Sequence, residues 1–110
     1  MSYIIPDVRE ISAGATEVVS VDCLDFLDSG ELFTGTPTIT EQTTTDLTLS
    51  NKTVNIAALT INDRVVAIGK AIQFKVVGQV AGVTYLIFIT CTTDSSPARV
   101  AKFGLRMRCV

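Results

Sequence analysis

Histidine and tryptophan are both absent from this 110-residue chain, and tyrosine occurs only twice. Without histidine there is no side chain whose ordinary titration falls near neutral pH, and the commonest zinc ligand is missing. A serine or cysteine nucleophile would need some other activating group. The three cysteines, Cys23, Cys91 and Cys109, are odd in number and none pairs in a CxxC spacing, so they make neither a disulfide framework nor a metal motif. They are expected to be reduced, buried thiols packing as small hydrophobes. No apolar run approaches the roughly 18 to 20 residues that span a bilayer; the longest, VTYLIFITC, is interrupted by threonine. The start, MSYIIPDVRE, lacks the basic end, long apolar stretch and small-residue cleavage site of a secretory signal, so synthesis in a cytoplasm is expected. The carboxylate pairs Asp22 with Asp25 and Asp25 with Asp28 lie beside a turn and are expected to solvate or cap it. Together these absences predict a chain that is not an enzyme, with no catalytic residues, no metal and no cofactor.

What is present is β-branched. Thirteen valines, ten isoleucines and fifteen threonines favour pleated, half-buried surfaces over helix. The apolar fraction is 47% and the mean hydropathy +0.43, high for one small soluble domain, so some apolar surface is expected to be covered by another chain.

Period-two alternation dominates. From Gly82 to Thr92, Val83, Tyr85, Ile87, Ile89 and Cys91 point one way and Thr84, Leu86, Phe88, Thr90 and Thr92 the other. Both faces carry apolar groups, which predicts a central strand. After TDSSPA the chain returns as a hairpin, with Ala101, Phe103, Leu105, Met107 and Cys109 inward and Val100, Lys102, Gly104, Arg106 and Arg108 outward. Upstream, AIQFKV, TVNIAALTIND, DLTLSN, TGTPTITEQ and TEVVSVDCL read as further strands, and Pro37 suggests an edge. CLDFLDSGEL is expected to form a single helical turn ending at Gly30. Seven or eight short strands at this spacing predict an antiparallel β-sandwich, with residues 1–14 as an extended arm and 15–110 as the sandwich. Val19, Val21, Leu49, Phe74, Val76, Tyr85, Ile87, Ile89, Phe103 and Leu105 are the expected core.

AGVTYLIFITCTTDSSPARVAKFGLRMR resembles the last hairpin of an immunoglobulin or fibronectin-III sandwich. Tyr85 reads two ways: as the tyrosine corner of such folds, its phenol bonding back to upstream backbone, or as a plain core aromatic. Nearly the whole chain resembles small sandwich proteins encoded among the structural genes of tailed bacteriophages. Their pattern DW-x-x-WL-x-x-G-(D/E) is matched by Asp22, Leu27, Gly30 and Glu31, with Cys23 and Phe26 where the tryptophans stand. Their closing GK-x-(V/I)-x-F-x-V-x-G-G-x-x-G-x-x-Y is matched by Gly69, Lys70, Phe74, Gly78, Gly82 and Tyr85, with Gln79 in place of the second paired glycine. The resemblance implies an all-β immunoglobulin-like fold of about seven strands and a virion location. It implies a capsid cement or decoration subunit that binds the coat protein or another virion protein and copies of itself. The alternative is a tail-fibre or baseplate module binding a receptor or glycan.

Charge adds to this. Residues 1–50 hold one basic residue and nine acidic ones, and residues 51–110 eight basic and two acidic. The halves either neutralise one another on folding or present complementary surfaces for docking. Lys102, Arg106 and Arg108 share one face of the last strand, with only Val100 and Gly104 between them and no aromatic platform; with a pI near 4.9 nucleic acid is not an expected partner, nor is a membrane. The expected partner-binding residues are therefore Tyr3, Ile4 and Ile5 of the arm together with Lys102, Arg106 and Arg108.

Overall fold

The computed structural model describes residues 2–110 apart from Asp25, Thr43 and Asn62, with side chains described from Val8 onward. Among these residues there are nine strands: β1 (Ser2–Ile11), β2 (Glu17–Asp22), β3 (Phe33–Glu41), β4 (Thr48–Val54), β5 (Leu59–Ile61), β6 (Arg64–Val66), β7 (Ala71–Val77), β8 (Thr84–Thr93) and β9 (Val100–Cys109). The fold is all-β, with nine strands where about seven were expected. Seven of them build two larger sheets, in the orders β1-β9-β8-β3 and β2-β7-β4; β5 and β6 form a separate hairpin. The expected helical turn is one turn only: the N–H groups of Phe26 and Leu27 both donate to the carbonyl of Cys23, at 3.1 and 3.3 Å. The carboxylate pairs read around Asp25 lie outside the described residues.

The two larger sheets share one apolar core. Tyr85, Ile87, Ile89 and Cys91 of β8 face it, as do Ile72, Phe74 and Val76 of β7 and Val19 and Val21 of β2. Each fully buried side chain of this size contributes about 1.5–3 kcal/mol, which is why the alternation dictates which face turns inward. Nine of the ten expected core residues are buried, and Leu49 packs against the core half-buried. β8 lies between β9 and β3, and Leu86, Phe88 and Thr90 of its second face are half-buried. A smaller core of Ile61, Val66 and Ala71 sits under the β5–β6 hairpin. The buried Asn55 amide holds that hairpin's base, donating to the carbonyls of Ala57 and Ala67 and accepting from the N–H groups of Lys70 and Ala71.

Three sheet edges are irregular. The β1–β9 register shifts between Ile4 and Val8, the β3–β8 register between Thr34 and Thr38, and the β4–β7 register between Ser50 and Thr53. Pro6, Pro37 and the positive φ of Asn51 (51°) fall at these breaks. Interrupted edges resist pairing with other strands. Pro37 does lie in an edge strand, since β3 closes the four-stranded sheet. The stretch expected as an arm contains β1, whose backbone runs parallel to β9 of the same chain. Arg9 crosses from β1 to the other sheet and donates to the Ser20 carbonyl at 3.0 Å.

Candidate functional site

Three of the expected contact residues, Lys102, Arg106 and Arg108, share the outer face of the four-stranded sheet. Alternation along β9 turns Val100, Lys102, Arg106 and Arg108 out while Ala101, Phe103, Leu105, Met107 and Cys109 are buried. Cross-strand registry then sets their neighbours, which in antiparallel pairs lie ~4.5–5.5 Å apart at Cβ. Lys102 opposes Thr90, Gly104 opposes Phe88, Arg106 opposes Leu86 and Arg108 opposes Thr84. On the other side of β9, Val8 is in register with Arg106 and Glu10 with Arg108.

This face is not purely basic. The Lys102 ammonium lies 5.3 Å from the centroid of the Phe88 ring, within the range of a cation–π contact. Gly104 faces outward by alternation and is nonetheless buried; its cross-strand partner is the Phe88 ring. Val8 and Val100 are 46% and 60% exposed, and Leu86 is half-buried. The expectation that no aromatic accompanies these cations is therefore corrected: Phe88 stands among them. It lies one strand away from them in space, though well before them in sequence. The signal was available, because Phe88 alternates with Ile87 and Ile89 and so must turn outward.

Of the arm residues, Tyr3 and Ile4 are in register with Phe103 and Gly104, and Ile5 falls in the interruption before Val8. The backbone of the expected apolar arm and the basic strand are thus neighbours in one sheet.

Part of the charge split along the chain is an intramolecular complement. Arg99 donates to both carboxylate oxygens of Glu31, to the carbonyl of Phe26, and lies 3.8 Å from Asp28. Its guanidinium also stacks 4.6 Å from the Phe26 ring centroid, and Phe26 meets Phe103 edge-on at 5.1 Å. The Arg99 hydrogen bonds hold the Glu31 carboxyl well below the usual carboxylate range and raise Arg99 in turn. Arg64 pairs with Asp22 at 3.1 Å. Each of these pairs joins an acid of residues 1–50 to a base of residues 51–110. Glu31, read only as a motif match, ties the turn after β2 to the loop before β9.

At the opposite end of β8, Tyr85 has no exposed surface and its phenol accepts from the Val80 N–H while donating to Asp46. That is the bond to upstream backbone a tyrosine corner requires. Gly78 lets the chain pass: its φ is +89°, and an added Cβ would stand 2.5 Å from the Asp46 carbonyl oxygen. All three cysteines are free and buried. Burial pushes the Cys23 and Cys91 thiols up, which suppresses the reactive thiolate. Among the described residues no group of three or more histidine, cysteine, aspartate or glutamate side chains is placed to hold a metal ion. No helix among them is long and apolar enough to cross a membrane.

No family model and no curated protein matches the chain. Among solved structures it is similar to a nucleoside hydrolase-related hypothetical protein from Saccharophagus degradans that is associated with carbohydrate metabolism, with a TM-score of 0.52 and 16% identity. The match covers 94% of this chain and 22% of that one, so the chain spans about a fifth of the length of its neighbour. At this identity the likeness is one of fold. It overturns the expectation that the chain is not an enzyme. That expectation rested on the missing catalytic groups taken together, yet a similar fold occurs within a protein described as nucleoside hydrolase-related.

Proposed function

We propose that the chain is a bacteriophage virion structural protein, a capsid cement or decoration subunit that binds the coat protein and copies of itself through the outer face of its four-stranded sheet. The observation that carries this is the composition of that face. Three cations of one strand, one of them over a half-buried aromatic ring, share the face with two exposed valines and a half-buried leucine, on a sheet whose geometry is fixed by a shared core. Such a surface suits a protein partner: apolar contact supplies affinity and charge sets orientation and rate.

The fold type proposed with it is immunoglobulin-like. With β1, β2, β3, β4, β7, β8 and β9 taken as strands A to G, the sheet orders become B-E-D and G-F-C, with A beside G. The B-E-D and C-F-G groupings are those of immunoglobulin sandwiches. The Tyr85 phenol fits the same assignment, and β5–β6 is then an insertion between D and E. The motif residues also acquire tasks that such a fold would retain: Glu31 clamps Arg99, and Gly78 admits the Asp46 backbone.

Protein identification and electron microscopy of purified particles test the proposal. Many copies on the shell are expected; absence from the particle overturns it. A second reading, a tail-fibre or baseplate module binding a receptor or glycan, is favoured by one observation. The similar fold in the Saccharophagus protein is a fraction of a longer chain associated with carbohydrate metabolism. A few copies confined to the tail, together with glycan binding, favour that reading.

A further inference from the structure

The strand β1 is held in two unequal parts. Over Val8–Ile11 it is anchored to both sheets. Arg9 donates to the Ser20 carbonyl at 3.0 Å, the Val110 N–H donates to the Ile11 carbonyl at 2.8 Å, the Ala13 N–H donates to the Val110 carbonyl at 3.0 Å, and Ile11 is buried. Ser2, Tyr3 and Ile4 run in parallel register with Lys102, Phe103 and Gly104. Between the two parts the register is lost, from Ile4 to Val8. Pro6 lies in this gap and has no N–H to give a ladder.

We propose that the Ser2–Ile4 segment is exchanged between copies of this chain: it leaves its own β9 and pairs in the same parallel register with Lys102–Gly104 of a second copy, hinging at residues 5–7. This rests on the reading of the chain as a subunit that binds copies of itself, and it names the contact. The physical reason is that any copy of β9 presents the same register and the same neighbours, so exchange replaces native contacts with identical ones. The anchored half stays in place, so the core is not opened. Three extended hinge residues reach about 10 Å, enough to cross to a β9 packed alongside. The receiving strand carries Lys102 and Arg106 on its outer face, which places the exchange within the docking surface already described.

The test uses two chains, one bearing Ser2→Cys and the other Lys102→Cys, mixed and treated with a short bismaleimide. The native thiols are buried and do not compete. Ser2 and Lys102 are register partners, so a covalent dimer holding one chain of each kind is expected. A control pairing Ser2→Cys with Arg108→Cys, which sits at the far end of β9, is expected to give little. The chain carrying both Ser2→Cys and Lys102→Cys should also yield dimer. If that chain closes only on itself and the mixture gives no mixed dimer, or if the Arg108→Cys control crosslinks equally, the exchange is wrong. As a second measurement, light scattering should find the chain lacking residues 2–7 monomeric at concentrations where the full chain associates; equal association overturns the proposal. Failure of exchange in a chain that is abundant on purified particles leaves the virion reading standing. Exchange by a chain absent from particles does the reverse.

Discussion

The phenol of Tyr85 donates to the Asp46 carboxylate at 3.1 Å and accepts the Val80 N–H at 2.8 Å. One hydroxyl thereby joins the β7–β8 corner to the loop that leads into β4. Tyr85→Phe keeps the ring's burial and removes both bonds, leaving two polar groups without this partner. A loss of about 1–3 kcal/mol is expected. Urea unfolding measures it; a midpoint equal to that of the parent chain means the ring, not the hydroxyl, is what this position requires.

Ile87→Ala tests the core itself. Ile87 has no exposed surface and faces the shared core from an inner strand. Removing its methyl and methylene groups should cost roughly 2–5 kcal/mol. The comparison is Val65→Ala, at a residue 69% exposed on β6, which should stay within about 0.5 kcal/mol of the parent. Equal effects at the two sites would contradict the assigned burial.

Much of this was legible in the sequence, and the parts that were not share a cause. Alternation is a local property, so it identified the buried faces of β7, β8 and β9 residue by residue. Pairing partners are not local. Nothing in SYIIPDV says that it lies parallel to the last strand, because parallel registry between distant segments of a chain leaves no periodic mark. The same limit hid the face around Lys102. Phe88 and Gly104 are each visible as outward positions, but their opposition depends on hairpin register. The charge split was visible as composition, whereas its resolution through Arg99–Glu31 and Arg64–Asp22 needed the fold. Leu49 was placed inward correctly but lies only half-buried, because β4 is an edge strand.

The Arg99–Glu31 pair predicts an acid-sensitive fold. The folded Glu31 carboxyl titrates below its ordinary value of 4.5. Its contribution is therefore fully present above that value and is lost as pH falls through the lower folded value. Melting temperature should drop more steeply below about pH 4.5 in the parent than in Glu31→Gln, which has lost the contribution at every pH. Parallel profiles for the two chains would remove Glu31 from this role.

Thiol chemistry gives an independent check on packing. Cys23, Cys91 and Cys109 are buried, and desolvation raises Cys23 and Cys91 against ionisation. An aromatic disulfide reagent should label none of them in the folded chain and all three in denaturant. Rapid labelling under native conditions would locate an opening that the described packing does not contain.

The last prediction separates charge from apolar contact on the proposed docking face. Exposed ion pairs contribute at most about 1 kcal/mol each, and at about 0.15 M salt their field decays over about 8 Å. Arg106→Glu with Arg108→Glu should weaken attachment to particles at low ionic strength and converge with the parent as salt rises. Phe88→Ala removes apolar area and the ring beneath Lys102, so its loss of binding should persist at every salt concentration. Cosedimentation with particles stripped of the chain reads both, with melting temperatures confirming that each variant is folded. A charge reversal without effect at any ionic strength would make the cations of β9 a solvated surface. A Phe88→Ala loss that vanishes with salt would show that the ring acts only through Lys102.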